Sequence, residues 1–240
     1  MKKGKVCLIL STIFACVFAG FLVMVKTINV GAIGPQNSQV GFANLNNLVK
    51  NGVGLSEVWD KISDVVMIFA LVVAVICLSL AIIQVFKRKC VSKIDKQFLV
   101  LALCFGIVIV FYLIFELVVV NYRPVLVEGV LEASFPSSHV LIICSILLCA
   151  MGVFASYFKN RTIKILVYAT GIGLSGFAVI ARVLSGLHWV TDIIAGILLA
   201  VAISLLFYGL REVFSKKTNQ ENEELINNKD SEEKEKLEEK

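Results

Sequence analysis

The chain has 240 residues, 58% of them apolar and only 17% charged, with a mean hydropathy of +0.86. That balance excludes an ordinary soluble domain, in which about half of the residues are apolar and about a quarter are charged. The net charge of +5 is uneven: segment 218–240 holds nine acids against four lysines, so residues 1–217 carry +10. A basic excess confined to short loops between apolar runs reports on membrane topology rather than on nucleic-acid binding.

A bilayer core of about 30 Å needs about 20 apolar residues for each helical span. Six runs meet that length, at about 6–25, 65–86, 98–119, 140–158, 165–181 and 189–210. They predict an all-α, polytopic integral membrane bundle with six transmembrane helices. The first run follows Lys2, Lys3 and Lys5, as a signal peptide would. It is longer than the usual apolar core of about 7–15 residues, and no small-x-small cleavage site follows it. Phe14 also stands where a lipoprotein signal takes a small residue, so the run reads as a retained first helix.

Residues 27–62 form the longest connection. Gly31, Gly34, Pro35, Gly41, Gly52 and Gly54 interrupt any long helix there, while 42–49 has the composition of a segment lying along the membrane surface. Its expected roles are to cover the site or to shape substrate entry. Basic residues then alternate along the chain. They precede the first run, recur between the second and third (Lys87, Arg88, Lys89, Lys93, Lys96), between the fourth and fifth (Lys159, Arg161, Lys164), and after the sixth (Arg211, Lys216, Lys217). Positive residues favour the cytoplasmic side, so both termini are expected in the cytoplasm of a cell membrane, with the intervening loops facing outward. The acidic tail 218–240 is expected to be a solvated, disordered or frayed segment, separate from the membrane domain 1–217. The seven cysteines are scattered through or beside apolar runs with no metal-binding spacing and read as small apolar fillers.

Polar clusters stand at the ends of these runs. They read Asn121-Tyr122-Arg123-Pro124, then Phe135-Pro136-Ser137-Ser138-His139, then Ala181-Arg182 with His188 and Asp192. Both histidines of the chain lie within them. The topology places Arg123, Ser137, His139, Arg182, His188 and Asp192 on one side, the outer one. Ionisable groups beside apolar spans are costly and usually carry function. Arginine's planar fork suits phosphate oxygens, and the helices opened by Pro136-Ser137-Ser138-His139 and by His188 add N–H donors and positive dipole ends. One histidine can attack phosphorus while another protonates the departing oxygen. Asp192, four residues after His188, lies one helical turn on and can hold one ring nitrogen as N–H.

The three clusters resemble the type 2 phosphatidic acid phosphatase superfamily, whose signature is Lys-x6-Arg-Pro, Pro-Ser-Gly-His and Ser-Arg-x5-His-x3-Asp. This chain reads Glu116-x6-Arg123-Pro124, Pro136-Ser137-Ser138-His139 and Ala181-Arg182-x5-His188-x3-Asp192. The resemblance covers about 116–192 together with the six-helix layout. It implies that His188 is the nucleophile, Asp192 its orienting partner and His139 the leaving-group acid. It also implies that Arg123, Arg182 and Ser137 bind phosphate, with Ser138 offering a backbone N–H, and that the site works without a metal or other cofactor.

Three positions depart from the signature. Ser138 replaces a glycine, Ala181 a serine, and Glu116 a lysine. If the third apolar helix continues past its run, Glu116 and Arg123 share a face, and Glu116 is expected to act as a modulator by orienting Arg123 or Arg182. The resemblance implies a lipid phosphatase, embedded in the membrane and acting on a lipid phosphate or diphosphate, with no nucleic-acid partner. Undecaprenyl diphosphate, phosphatidic acid and phosphatidylglycerol phosphate all fit. Two alternatives stand beside it: a phosphotransferase to a lipid or glycan, and a non-catalytic protein that binds lipid phosphates. Taken singly, the histidines and arginines read as interfacial groups, Asp192 as a helix-start charge, and Tyr122 and Trp189 as members of the aromatic belt at the membrane surface.

Overall fold

Long apolar segments in a bilayer must satisfy every backbone polar group within the segment, and the α-helix does so. The computed structural model describes residues 2–89 and 94–238, with side chains described for 3–89 and 94–215. Seven α-helices run in order: α1 (Lys2–Thr27), α2 (Ala43–Val53), α3 (Glu57–Arg88), α4 (Lys96–Leu117), α5 (Ser138–Ser156), α6 (Arg161–Ser185) and α7 (Val190–Glu238). Isolated β-bridges are the extended pairings among the described residues. Six helices, all but α2, are long and apolar enough to cross a membrane, and the protein is a multi-pass membrane protein.

The six predicted runs each correspond to one of these helices, but three boundaries matter. Helix α3 begins at Glu57, eight residues before the predicted run, and so carries Asp60 and Asp64 that sequence reading left in or beside the loop. Helix α4 ends at Leu117 rather than continuing, so Glu116 and Arg123 do not share a helix face. Segment 42–49 belongs to α2, an amphipathic helix entered through Phe42 in the left-handed region. Expectations for Cys90, Lys93 and the side chains of the tail 218–240 fall outside the described residues. The described cysteines are free thiols.

Helix α5 is the centre of the bundle. Of its apolar window 72% is buried, against 11% for α1, because α3, α4, α6 and α7 all pack on it. Burial on all sides demands a helix apolar all round, which its sequence is. Helix α7 pairs with α5 and also packs along α1. Small residues permit close approach: a Cβ on Gly196 would lie 3.0 Å from the Ser137 carbonyl oxygen, and one on Gly171 would lie 2.7 Å from Met151 Sδ. Gly173, by contrast, faces open space. Beneath the polar clusters, Phe135 stacks on Phe18 and meets Phe115 edge-on. This aromatic layer anchors the loop that leads into α5.

Candidate active site

The segment 118–137 folds as a hairpin-like loop between α4 and α5. Tyr122 pairs with Ala133, Arg123 N–H donates to the Glu132 carbonyl, and Ser134 N–H donates to the Asn121 carbonyl. This pairing sets Arg123 opposite Glu132, and Arg123 Nε lies 3.1 Å from Glu132 Oε2. The loop then delivers Ser137, whose N–H donates to the Asp192 carbonyl, tying the start of α5 to the start of α7. Helix α6 ends at Gly186, a left-handed C-cap with φ of +69°, a conformation glycine adopts without strain. The short turn after it carries His188 and Trp189 into α7. The three sequence clusters thus meet at one end of the bundle.

His188 is buried, and its Nδ1 lies 3.1 Å from the Ser134 carbonyl oxygen. A carbonyl only accepts, so Nδ1 carries the ring proton and Nε2 is left with its lone pair. Nε2 is buried and has no hydrogen-bond partner. Burial, followed by the positive charges of Arg182, Arg123 and His139, pushes the His188 imidazole well below its ordinary range. It is therefore held neutral, as a nucleophile needs.

Asp192 occupies a different place from the one expected. Its Oδ2 is 3.8 Å from His188 Nδ1, beyond hydrogen-bond range, and accepts instead from Trp189 N–H at 3.1 Å. Its Oδ1 accepts from Asn121 Nδ2 at 3.0 Å. The carboxylate fastens the turn that carries His188, while the hydrogen bond that orients the ring comes from Ser134. Trp189 also departs from expectation: it is buried, and its Nε1 donates to the Tyr122 carbonyl at 2.7 Å, joining the first cluster to the third.

On the side facing α3, the cationic groups each meet a carboxylate. Arg182 Nη1 donates to Asp60 Oδ1, and His139 Nε2 lies 2.9 Å from Asp64 Oδ1. Asp60 and Asp64 stand four residues apart, one turn along α3, which explains why one helix serves both. With Glu132 beside Arg123, three acids face three site cations or potential cations. Glu116 is exposed and makes no ion pair among the described residues; Arg123 and Arg182 take other partners. Sequence reasoning missed Asp60, Asp64 and Glu132, and assigned no role to Asn121 or Ser134. One sign was present: two carboxylates at helical spacing ahead of an apolar run.

Two cavities open here. One, of about 580 Å³, is lined by His188, Ser138, Arg123, Ser134, Glu132 and Glu116. The other, of about 400 Å³, is lined by His139, Arg182, Asp60 and Asp64, and shares Arg123 and Glu132 with the first. Among the described residues, the buried side-chain polar atoms of the motif without a partner are Ser137 Oγ, His139 Nδ1, Arg182 Nε and His188 Nε2; Arg123 Nε makes no well-aligned hydrogen bond but is ion-paired with Glu132. Leaving such a group unpaired costs about 1–3 kcal/mol. His188 stands at the first cavity and His139 and Arg182 at the second, so these unpaired groups gather where the two cavities share Arg123 and Glu132. No group of three or more His, Cys, Asp or Glu among the described residues is arranged to hold a metal ion.

Fold and site together define a helical, multi-pass membrane protein with histidines, arginines and carboxylates gathered at one end. Residues 118–215 match the family model of the PAP2 superfamily. The fold is similar to that of a transmembrane PAP2-type phosphatidylglycerolphosphate phosphatase from Bacillus subtilis, with a TM-score of 0.59 and 18% identity. That similarity covers 85% of this chain and 96% of the other. No curated protein matches the chain.

Proposed function

We propose that the protein is an integral-membrane lipid phosphatase that cleaves a lipid phosphate or diphosphate through a phosphohistidine. The observation that carries this reading is His188 Nε2, a neutral, buried ring nitrogen with no partner, in a site that also holds unpartnered atoms of Arg182, Ser137 and His139 and the positive charge of Arg123. Substrate phosphate enters between the cavities and exchanges the carboxylates for its own oxygens on Arg123 and Arg182. His188 Nε2 attacks phosphorus, the P–O bond to the lipid breaks, and the leaving oxygen takes a proton from His139. Water then attacks the phosphohistidine, giving its proton to His139; the P–N bond breaks and inorganic phosphate leaves. The arginines stabilise charge on the equatorial oxygens in both steps, a task that otherwise falls to a metal.

The substrate class is a lipid phosphate monoester or diphosphate such as phosphatidylglycerol phosphate, phosphatidic acid or undecaprenyl diphosphate. The similar Bacillus subtilis fold supports the first of these and the outward-facing charge alternation the last. In this reading both termini are cytoplasmic and the site faces outward from the cell membrane. Asp192 acts by fixing the His188 turn, and Ser138 offers its backbone N–H at the start of α5. Residues 1–217 form the enzyme and 218–240 a solvated tail.

One observation favours a second reading. Carboxylates stand against Arg123, Arg182 and His139, and Glu116 replaces a lysine, as in a site that binds lipid phosphate without cleaving it. Phosphate release from a panel of lipid phosphates by purified protein in detergent with EDTA, beside His188→Ala, separates the two. Release that persists in EDTA and disappears in the variant supports the enzyme. Binding without release from any lipid supports the second reading.

A further inference from the structure

The segment between α1 and α3 is tied to the site at more points than a linker requires. A Cβ on Gly41 would lie 1.6 Å from the Val25 carbonyl oxygen, so only glycine lets the chain turn back over α1 into α2. Within α2, Asn46 is buried although it belongs to a mostly exposed helix. Its Nδ2 donates to the Gly41 carbonyl at 2.7 Å and to Thr191 Oγ1 at 3.0 Å, and its Oδ1 accepts from Thr191 N–H at 3.3 Å. Thr191 N–H is one of the first-turn donors that α7 cannot satisfy internally, so Asn46 caps α7 from another helix.

One turn further along α2, Lys50 Nζ donates to the Pro124 carbonyl at 2.9 Å and sits 5.2 Å from the centroid of the Trp189 ring. Lys50 thereby bridges the residue after Arg123 and the residue after His188. The segment is fastened once more as it leaves: Ser56 N–H donates to the Ser185 carbonyl at 3.1 Å, and a Cβ on Gly186 would lie 1.9 Å from the Gly54 carbonyl oxygen. Neither Asn46 nor Lys50 lines the two cavities.

We propose that α2 is a positioning strap: Asn46 and Lys50 hold the Arg123 loop and the His188 turn in register, so that clusters from separate helices form one site. Both are positioning residues, acting through Thr191, Trp189 and Pro124 rather than on substrate. The effect on turnover rests on the phosphatase reading; the effect on the His188 ring does not.

The test uses the full chain in detergent with ring-nitrogen-labelled histidine. With two histidines in the chain, a His139→Asn sample assigns both signals. The wild type is expected to show His188 as a single tautomer protonated at Nδ1. In Asn46→Ala and Lys50→Met the His188 signal shifts or splits toward mixed tautomers while that of His139 stays in place. Turnover falls about 10- to 100-fold with KM changed little, the size expected of a small misplacement of reacting groups. Lys50→Arg keeps a donor and a cation over Trp189 and restores most of the loss. Leu48→Ala, on the exposed side of α2, matches the wild type. His188 signals that coincide with the wild type in both variants overturn the proposal, as does joint collapse of both histidine signals with a lowered unfolding temperature. If no lipid phosphate is hydrolysed by the wild type, the phosphatase reading fails and the His188 spectra alone decide the strap.

Discussion

The two halves of the site are built on different principles. Around His188 the contacts are buried and mostly between backbone and neutral groups: the Ser134 carbonyl on Nδ1, Asn121 and Trp189 N–H on Asp192, and Trp189 Nε1 on the Tyr122 carbonyl. On the side facing α3 the contacts are ion pairs with partly or fully exposed acids, Asp60, Asp64 and Glu132. Buried hydrogen bonds among fixed backbone groups are expensive to break, whereas ion pairs with solvent-facing acids such as Glu132 and Asp64 contribute about 0–1 kcal/mol. Arg182 is itself buried, and its pair with the partly exposed Asp60 lies between the two cases. The difference teaches that the His188 ring is held by fixed buried groups whereas the cations face acids. In the proposed reaction the ring is the preorganised nucleophile and the acids are anions that a phosphate replaces.

The largest expected effect falls on the preorganised half. His188→Ala should lower lipid-phosphate turnover by at least about 10⁴-fold, measured as phosphate release, because it removes the proposed nucleophile. His139→Asn should cost about 10²- to 10⁴-fold, the range of a lost general acid, and the loss should shrink on a substrate whose leaving group needs no proton. An equal loss on both substrates would place His139 outside proton transfer.

The pH dependence sharpens the same contrast. The folded His188 pKa lies well below the ordinary value of about 6.5. The neutral nucleophile therefore persists as pH falls through 6.5, and the acid limb of kcat/KM from this group should lie below that value. Stability follows the linkage sign: the unfolded chain takes up the His188 proton first, so the penalty starts near pH 6.5 and grows until the folded pKa is reached. His188→Asn should flatten that part of the unfolding-temperature profile. An acid limb at or above 6.5 that vanishes in this variant would contradict the buried, neutral ring.

The ion-paired half should respond more mildly and in the opposite direction. Asp60→Asn and Glu132→Gln keep a hydrogen-bond acceptor but remove the competing charge, so inorganic phosphate should inhibit about 3- to 10-fold more tightly, the worth of roughly 1 kcal/mol. Losses of turnover as deep as those of His139→Asn would erase the distinction between the halves. The smallest effect is expected at Glu116, which lines the larger cavity unpaired. Glu116→Lys restores the charge of the family signature and should lower KM by a few fold, since an exposed group acts through a high dielectric.

Much of the site was legible because spacing along a chain survives without a structure. Arg123, His139, Arg182 and His188 stand at the ends of apolar runs, and up-and-down helices carry alternate ends to the same side. The partners were not legible. Glu132 meets Arg123 through a hairpin whose register no periodic pattern announces. Asp60 and Asp64 belong to α3 because the helix starts well before its apolar run, and a helix boundary set by capping and tertiary contact leaves a weak trace in composition. Glu116 was expected to orient Arg123 or Arg182, but α4 ends at Leu117 and these arginines pair with Glu132 and Asp60.

By itself, then, the chain's order of apolar runs, basic loops and motif spacings determined six membrane-spanning helices, one shared end for the polar clusters and the resemblance that the family-model match over 118–215 supports. Those properties are local or periodic, and so they are written in sequence. Only the tertiary structure decided that Ser134 rather than Asp192 holds the His188 ring, that acids on α3 face the site cations, and that α2 straps the turn. Each depends on which helix faces lie against each other across long sequence separations, and that is settled by packing around α5 as a whole.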